Sequence, residues 1–188
     1  MGGFFGAITK QDCVLDVFFG TDYHSHLGTK RGGMAVYDRK DGFQRQIHNI
    51  ENTPFRTKFD KDLAEFHGCS GIGCISDTDP QPLLVRSHLG LYAITTVGII
   101  NNADALVERY FSGHGHQFMA MSSGKVNSTE LAAALINQKD DLVSGILHAQ
   151  EEIDGSLTLL LLTEQGEIIA ARDRLGRLPV LVGQNDSG

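Results

Sequence analysis

Apolar pairs recur at i, i+1, i+4 and i+5 in four segments: Val14, Leu15, Phe18, Phe19; Leu106, Val107, Tyr110, Phe111; Leu131, Ala132, Leu135, Ile136; and Leu142, Val143, Ile146, Leu147. That spacing predicts four helices, each burying one face. The third has Asn127 or Ser128 as N-cap and Glu130 in its first turn, where the helix dipole favours a carboxylate. Apolar and β-branched runs predict strands at Phe4–Ile8, Gly33–Tyr37, Gln44–His48, Gly71–Ile75, Leu91–Val97, Leu157–Leu162, Ile168–Arg172 and Val180–Val182. Thr163-Glu164-Gln165-Gly166 reads as a hairpin turn, and Ser112–Lys125, rich in glycine, as one surface loop. Several strands are apolar on both faces and need cover on both, so sheets packed on each other with helices outside are expected. The class is α+β.

At 188 residues, with 41% hydrophobic and 21% charged, the chain has the make-up of one folded domain, and no internal boundary is visible within 1–188. The net charge of -7 and the scattered cations argue against a nucleic-acid partner. Apolar runs such as Leu159–Leu162 are far short of the roughly 20 residues of a membrane helix. Three cysteines, Cys13, Cys69 and Cys74, cannot all pair in one chain, and the first residues lack the features of a secretion signal, so a reducing cytoplasm is expected. The polar Gln184–Gly188 after an apolar run looks like the start of a linker, which makes the chain the expected N-terminal part of a larger protein.

Four motifs, in order, carry a family resemblance. Met1-Gly2-Gly3-Phe4-Phe5-Gly6 resembles the Met-Cys-Gly-Ile-Phe-Gly opening of class II, N-terminal nucleophile, glutamine amidotransferase domains. The segment His26–Met34 resembles their His-Arg-Gly-Gln-Asp-Ser-Ala-Gly-Ile, and Gly71-Ile72-Gly73 their Gly-Ile-Gly-His-Thr-Arg. Ala171–Leu181, with an Asp154-Gly155-Ser156 hairpin before it, is similar to the Arg-Asp-Pro-Leu-Gly-Ile-Arg-Pro-Leu run of the glutaminase domain of amidophosphoribosyltransferase. The resemblance covers essentially the whole chain. It implies an N-terminal nucleophile hydrolase fold, a four-layer αββα sandwich, with purine biosynthesis as setting, a phosphoribosyltransferase-like domain following in the parent chain, and a homo-oligomer.

The chemistry departs from that pattern. In the family a terminal cysteine attacks the glutamine amide, with its own α-amino group as base. The matching position is Gly2, which has no nucleophile. The arginine that would clamp the substrate carboxylate aligns with Ser76, and a hydroxyl makes no bidentate charge clamp. Of the Asn-Gly oxyanion pair, the asparagine aligns with Val97 and only Gly98 remains. The aspartate that would hold the substrate ammonium aligns with Ser128, and the arginine of His-Arg-Gly with Leu27. Ser76, Val97, Gly98 and Ser128 thus mark a vestigial pocket without catalytic residues.

Other groupings have bland readings. His24-x-His26, His114-x-His116 and Cys69 with Cys74 lack the paired spacing of a structural zinc site, so no metal or cofactor is expected. Arg172, Arg174 and Arg177 around Asp173 read as a structural turn, Glu151, Glu152 and Asp154 as a solvated acidic face, and His148 as a cation at a helix C-terminus. Three functions stay open: a degenerate amidotransferase domain with a structural or regulatory role towards a following domain, an active glutaminase with a displaced nucleophile, and a sensor of a small glutamine-like ligand in the altered pocket.

Overall fold

The computed structural model describes residues 2–112, 117–122 and 124–188. The helices are α1 (Val14–Tyr23), α2 (Phe55–Phe59), α3 (Ala103–Ser112), α4 (Ser128–Ile136) and α5 (Leu142–Glu152), with a 3-10 turn at Asp62–Ala64. The strands are β1 (Gly2–Ile8), β2 (Arg31–Asp38), β3 (Gly42–Asn49), β4 (Ser70–Ser76), β5 (Leu83–Ser87), β6 (Gly90–Ile100), β7 (Met121–Ser122), β8 (Lys125–Val126), β9 (Gly155–Thr163) and β10 (Ile168–Ala171). Two four-stranded antiparallel sheets form, in the orders β1-β4-β2-β3 and β10-β9-β6-β5.

Strand alternation sorts side chains into layers. On the first sheet Ala35 and Ile72 join Ala93, Leu160 and Leu162 of the second in an inter-sheet core, with Phe4, Tyr37, Phe43 and Ile168 at its margin. The other face of the first sheet, with Met34, Val36 and Ile75, packs against Val14, Val17 and Phe18 of α1 and Phe55 and Phe59 of α2. The other face of the second, with Tyr92, Ile94, Leu157, Leu159 and Leu161, lies under Leu106 of α3, Leu131, Leu135 and Ile136 of α4, and Ile146 and Ala149 of α5. The result is the expected α+β, four-layer αββα sandwich.

Asn127 is the N-cap of α4, its Oδ1 accepting from the backbone N–H groups of Thr129 at 2.8 Å and Glu130 at 3.3 Å. The apolar pairs are buried unevenly. On α1 the buried stripe is Val14, Val17, Phe18 and Thr21, while Leu15 and Phe19 are exposed, and on α5 Val143 and Leu147 are exposed. The helix period allows one stripe to face a sheet and turns the next residue outward.

Four expectations change. Val180–Val182 forms no strand; Leu181 and Val182 are 93% and 90% exposed, because this apolar run meets no sheet edge to pair with. Ser112–Lys125 is not one plain loop: the small β7–β8 hairpin lies in it, while Gly113 to His116 and Ser123 lie outside the described residues. Asp154-Gly155-Ser156 is no hairpin; it joins α5 to β9, with the Asp154 carbonyl accepting from Asn101 N–H at 2.7 Å. Strand β5 and the short α2, not expected from the pattern, complete the second sheet and the outer cover of the first.

Candidate functional site

The register of the first sheet builds one end of the sandwich. Gly2 of β1 faces Ser76 of β4, Ser76 faces Arg31 of β2, and Arg31 faces Asn49 of β3. This row lies on the face of the sheet that looks towards the second sheet, since Ala35 on β2 and Ile72 on β4, at even steps from Arg31 and Ser76, lie in the inter-sheet core. A Cβ added at Gly2 would overlap the carbonyl oxygen of Ile75, so the position is sterically closed as well as chemically empty.

Ser76 is 4% exposed, and its Oγ accepts from Thr78 N–H at 3.2 Å. It caps the turn by which the chain leaves β4. Beside it Arg31 carries the nearest cation of the row, and among the described residues it forms no ion pair. Arg31 escaped sequence reasoning because only strand register places it next to Ser76.

The segment after Ser76 ties the remaining positions together. The Asp79 carboxylate accepts from the backbone N–H of Ser128 at 3.1 Å, and Asn127 Nδ2 donates to the Pro80 carbonyl at 3.1 Å. Gln81, 4% exposed, lies where β5 would continue, since Leu83 faces Ile94 and the register therefore puts residue 81 opposite 96. Its side-chain amide takes over that ladder: Thr96 N–H donates to Oε1 at 2.8 Å, and Nε2 donates to the Thr96 carbonyl at 3.0 Å. Thr95 and Thr129 hydroxyls add bonds to Oε1 at 3.0 Å each, and the Cys74 thiol donates to the Gln81 carbonyl at 3.2 Å. Both sheets and α4 are thereby joined at one buried residue, its side chain holding β6 and α4 and its carbonyl holding β4.

Val97 and Gly98 follow directly on β6, half-buried and exposed, paired with Thr158 and Leu157. A Cβ at Gly98 would overlap the Ser156 carbonyl oxygen, so close strand approach by itself demands glycine there. Ser128 is exposed at the first turn of α4, where its N–H is held by Asp79. The structure thus gathers Gly2 with Ser76, and links Ser76 to Ser128 and the Thr96–Gly98 run through residues 77–81.

The cysteines offer no replacement in the interior. Cys13 and Cys74 are 0% and 1% exposed, and burial first of all pushes each thiol up to about 12, far from the thiolate a nucleophile needs. Cys69 is exposed. Cys69 lies exposed in the bend before β4 and Cys74 is buried within it, and no cluster of metal-ligating side chains among the described residues includes either. His24 packs over Gly3 with its Nδ1 buried and unpartnered among the described residues, and burial, then His26, lowers its pKa. His114 and His116 lie outside the described residues. Asp38, Asp41 and His67 come together on the exposed β2–β3 hairpin and the loop before β4, with His67 Nε2 2.8 Å from an Asp41 oxygen. No sequence signal joined them, since they meet only through the hairpin.

The acidic face is solvated as expected and pairs Glu152 with Arg109. His148 meets the Gln138 side chain at 3.1 Å. Asp173 is structural: it is 3% exposed and accepts from Leu157 N–H at 3.3 Å and Arg177 N–H at 3.1 Å.

No helix among the described residues is long and apolar enough to cross a membrane. Comparison with curated proteins finds no match. Among solved structures, the chain is similar to glutamine phosphoribosylpyrophosphate amidotransferase from B. subtilis, complexed with ADP and GMP, with a TM-score of 0.76 and 23% identity over 94% of this chain and 38% of that one. A structure described as the allosteric regulatory enzyme of purine biosynthesis aligns with a TM-score of 0.75 and 22% identity, over 92% of this chain and 37% of that one. The chain therefore spans less than two fifths of the length of these two structures. The family model described as glutamine amidotransferase domain matches residues 71–188, which include Ser76, the Gln81 junction, Val97, Gly98, Ser128 and the Asp173 turn. With that match and the sandwich fold together, the chain belongs to the class II glutamine amidotransferase domains.

Proposed function

We propose that this chain is a catalytically degenerate, amidophosphoribosyltransferase-like glutamine amidotransferase domain. Its role is structural or regulatory, towards a phosphoribosyltransferase-like domain that follows in a larger, homo-oligomeric cytoplasmic protein. The observation that carries the reading is the Gly2–Ser76 pair: the family's nucleophile position has no side chain and no room for one, and the position of its carboxylate clamp is a buried turn-capping hydroxyl. A nucleophile and a clamp for the substrate carboxylate are separate requirements of glutamine hydrolysis, and neither Gly2 nor Ser76 supplies its part. The short coverage of the two similar structures is in keeping with a following domain.

The test is ammonia release from glutamine by the purified protein, expected at the level of a heat-killed control. Glutamine-dependent ammonia release that disappears on Cys69→Ala would overturn the reading in favour of a displaced nucleophile, since Cys69 is the exposed thiol.

A further inference from the structure

The turn after β10 concentrates cations that no carboxylate among the described residues pairs, Arg177 Nη1 donating only to the Gly155 carbonyl at 3.5 Å. Arg172, Arg174 and Arg177 are all exposed, and among the described residues none of them forms an ion pair. The one carboxylate inside the turn, Asp173, is engaged elsewhere: its oxygens accept from the backbone of Leu157 and Arg177, and its own N–H donates to Thr158 Oγ1 at 2.9 Å. Gly176 closes the turn at φ +67°, a left-handed conformation suited to glycine, with its N–H bonded to the Asp173 carbonyl at 2.9 Å. The Arg172 guanidinium lies back over Gly176, its Cζ 3.9 Å from where a Cβ would stand. The backbone is therefore fixed by Asp173, and three guanidinium groups extend from it in a protein of net charge -7.

Arg174 and Arg177 border a cleft of about 210 Å³ between the end of α5 and the start of β9. Its lining is mainly polar; Ile153 and Leu157, only 8% and 3% exposed, give it a small apolar floor, and Leu175 stands at its edge, 64% exposed. Gln150 is held in the wall by Nε2 bonds to the Leu157 and Arg172 carbonyls at 3.3 and 2.9 Å. Asp154 also borders the cleft, beyond ion-pair distance of either arginine. Planar guanidinium forks match the oxygens of a phosphate, an apolar floor accepts a short carbon body, and a carboxylate in the same cleft accepts from hydroxyl groups.

We infer that this cleft binds a small hydroxylated phosphate monoester, of the class that includes glycerol 3-phosphate and the hexose phosphates, with the phosphate on Arg174 and Arg177 and a hydroxyl on Asp154. The site is independent of the Gly2–Ser76 row and stands whether or not the protein hydrolyses glutamine.

The experiment titrates the whole chain with glycerol 3-phosphate, glycerol and inorganic phosphate, followed by calorimetry and by amide NMR shifts. Saturable binding of glycerol 3-phosphate is expected, with shifts centred on residues 173–177 and at least tenfold weaker binding of glycerol and of inorganic phosphate. Arg174→Gln and Arg177→Gln should each weaken it tenfold or more, and the Lys variants less, because Lys keeps the charge and loses the fork. Arg109→Gln, an exposed arginine elsewhere, should leave it unchanged. The arginine side chains are exposed and the turn is held by Asp173, so folded variants are expected and circular dichroism verifies them. Absence of saturable binding, or equal binding by the Arg174→Gln, Arg177→Gln double variant, overturns the site. Inorganic phosphate binding as tightly as glycerol 3-phosphate overturns the assignment to a hydroxylated monoester.

Discussion

Two neighbouring regions of the same end of the sandwich have opposite chemistry. At the Gln81 junction, the buried polar atoms of Gln81, Thr95, Thr96 and Thr129 are hydrogen-bonded, in a set that spans both sheets and α4. In the adjoining row, Gly2 and Ser76 offer no nucleophile and no charge, and the one cation, Arg31, comes from the next strand. The difference teaches what each region is for. A buried amide replaced by a carbon chain leaves backbone groups unpaired, so the fold itself demands Gln81. In the Gly2–Ser76 row the fold asks only for a residue without a side chain at Gly2, where a Cβ would overlap the Ile75 carbonyl, and for a turn-capping hydroxyl at Ser76. Scaffold and chemistry are separable here even a few residues apart.

The largest effect that tests this contrast is on stability. Gln81→Leu strands the Thr96 N–H and carbonyl in the interior, at about 1–3 kcal/mol each, so a loss of about 3–5 kcal/mol is expected in urea unfolding. Ser76→Ala, which removes only the bonds to the Thr78 N–H and hydroxyl in a turn, should cost under about 1 kcal/mol. Equal costs would erase the distinction between the regions.

Next comes the cap that ties α4 to the junction. Asn127→Ala loses the bonds to Thr129 and Glu130 N–H and the donor to Pro80, and about 1–2 kcal/mol of stability should go with it by the same measurement.

A smaller effect is expected from refilling the row. Gly2→Cys must displace the Ile75 carbonyl, at roughly 1 kcal/mol or more, and should release no ammonia from glutamine, because Ser76 still supplies no carboxylate clamp. Ordinary glutaminase rates in this single variant would show that the row is more intact than its side chains indicate.

The smallest effects are in two histidine titrations, read by NMR. His67, exposed and hydrogen-bonded to Asp41, has its pKa raised above 6.5, so its contribution to stability is present below about pH 6.5 and is lost as the pH rises through the folded value. Asp41→Asn should return its midpoint towards 6.5. His24, behind the row over Gly3, is lowered by burial and by His26, so the folded state resists its protonation and loses stability as the pH falls from 6.5 through the folded value. A His24 midpoint above 6.5 would mean that its buried Nδ1 has found a partner in solution.

Much of this was readable along the chain. Helices α1, α3, α4 and α5 follow from apolar spacing because each is long enough for the 3.6-residue period to repeat. Five-residue α2 offers only Phe55 and Phe59, one turn apart, which is too short a stretch to distinguish from chance. Strand β5 begins just after the prolines at 80 and 82 and alternates between half-buried and exposed positions, so its apolar run is weak. Val180–Val182 shows the reverse error: a good strand composition has no effect where the segment does not come against a sheet edge. Of the site, the motif positions Gly2, Ser76, Val97, Gly98 and Ser128 were legible, whereas Arg31, Asp79 and Gln81 act through register and the path of one loop.

The sequence by itself determined helices α1, α3, α4 and α5, most strands, the two-sided apolar demand that stacks the sheets, and the absence of a side chain at Gly2. These are properties of local spacing and residue type, which need no partner to be defined. Only the tertiary structure decided that Gly2 has no room for a Cβ, that Arg31 stands beside Ser76, that a glutamine side chain completes a β-ladder, and that two arginines without counter-ions border a cleft. Each of those depends on distances between segments far apart in the chain, set when the two sheets close on each other and their alternating faces choose what is buried together.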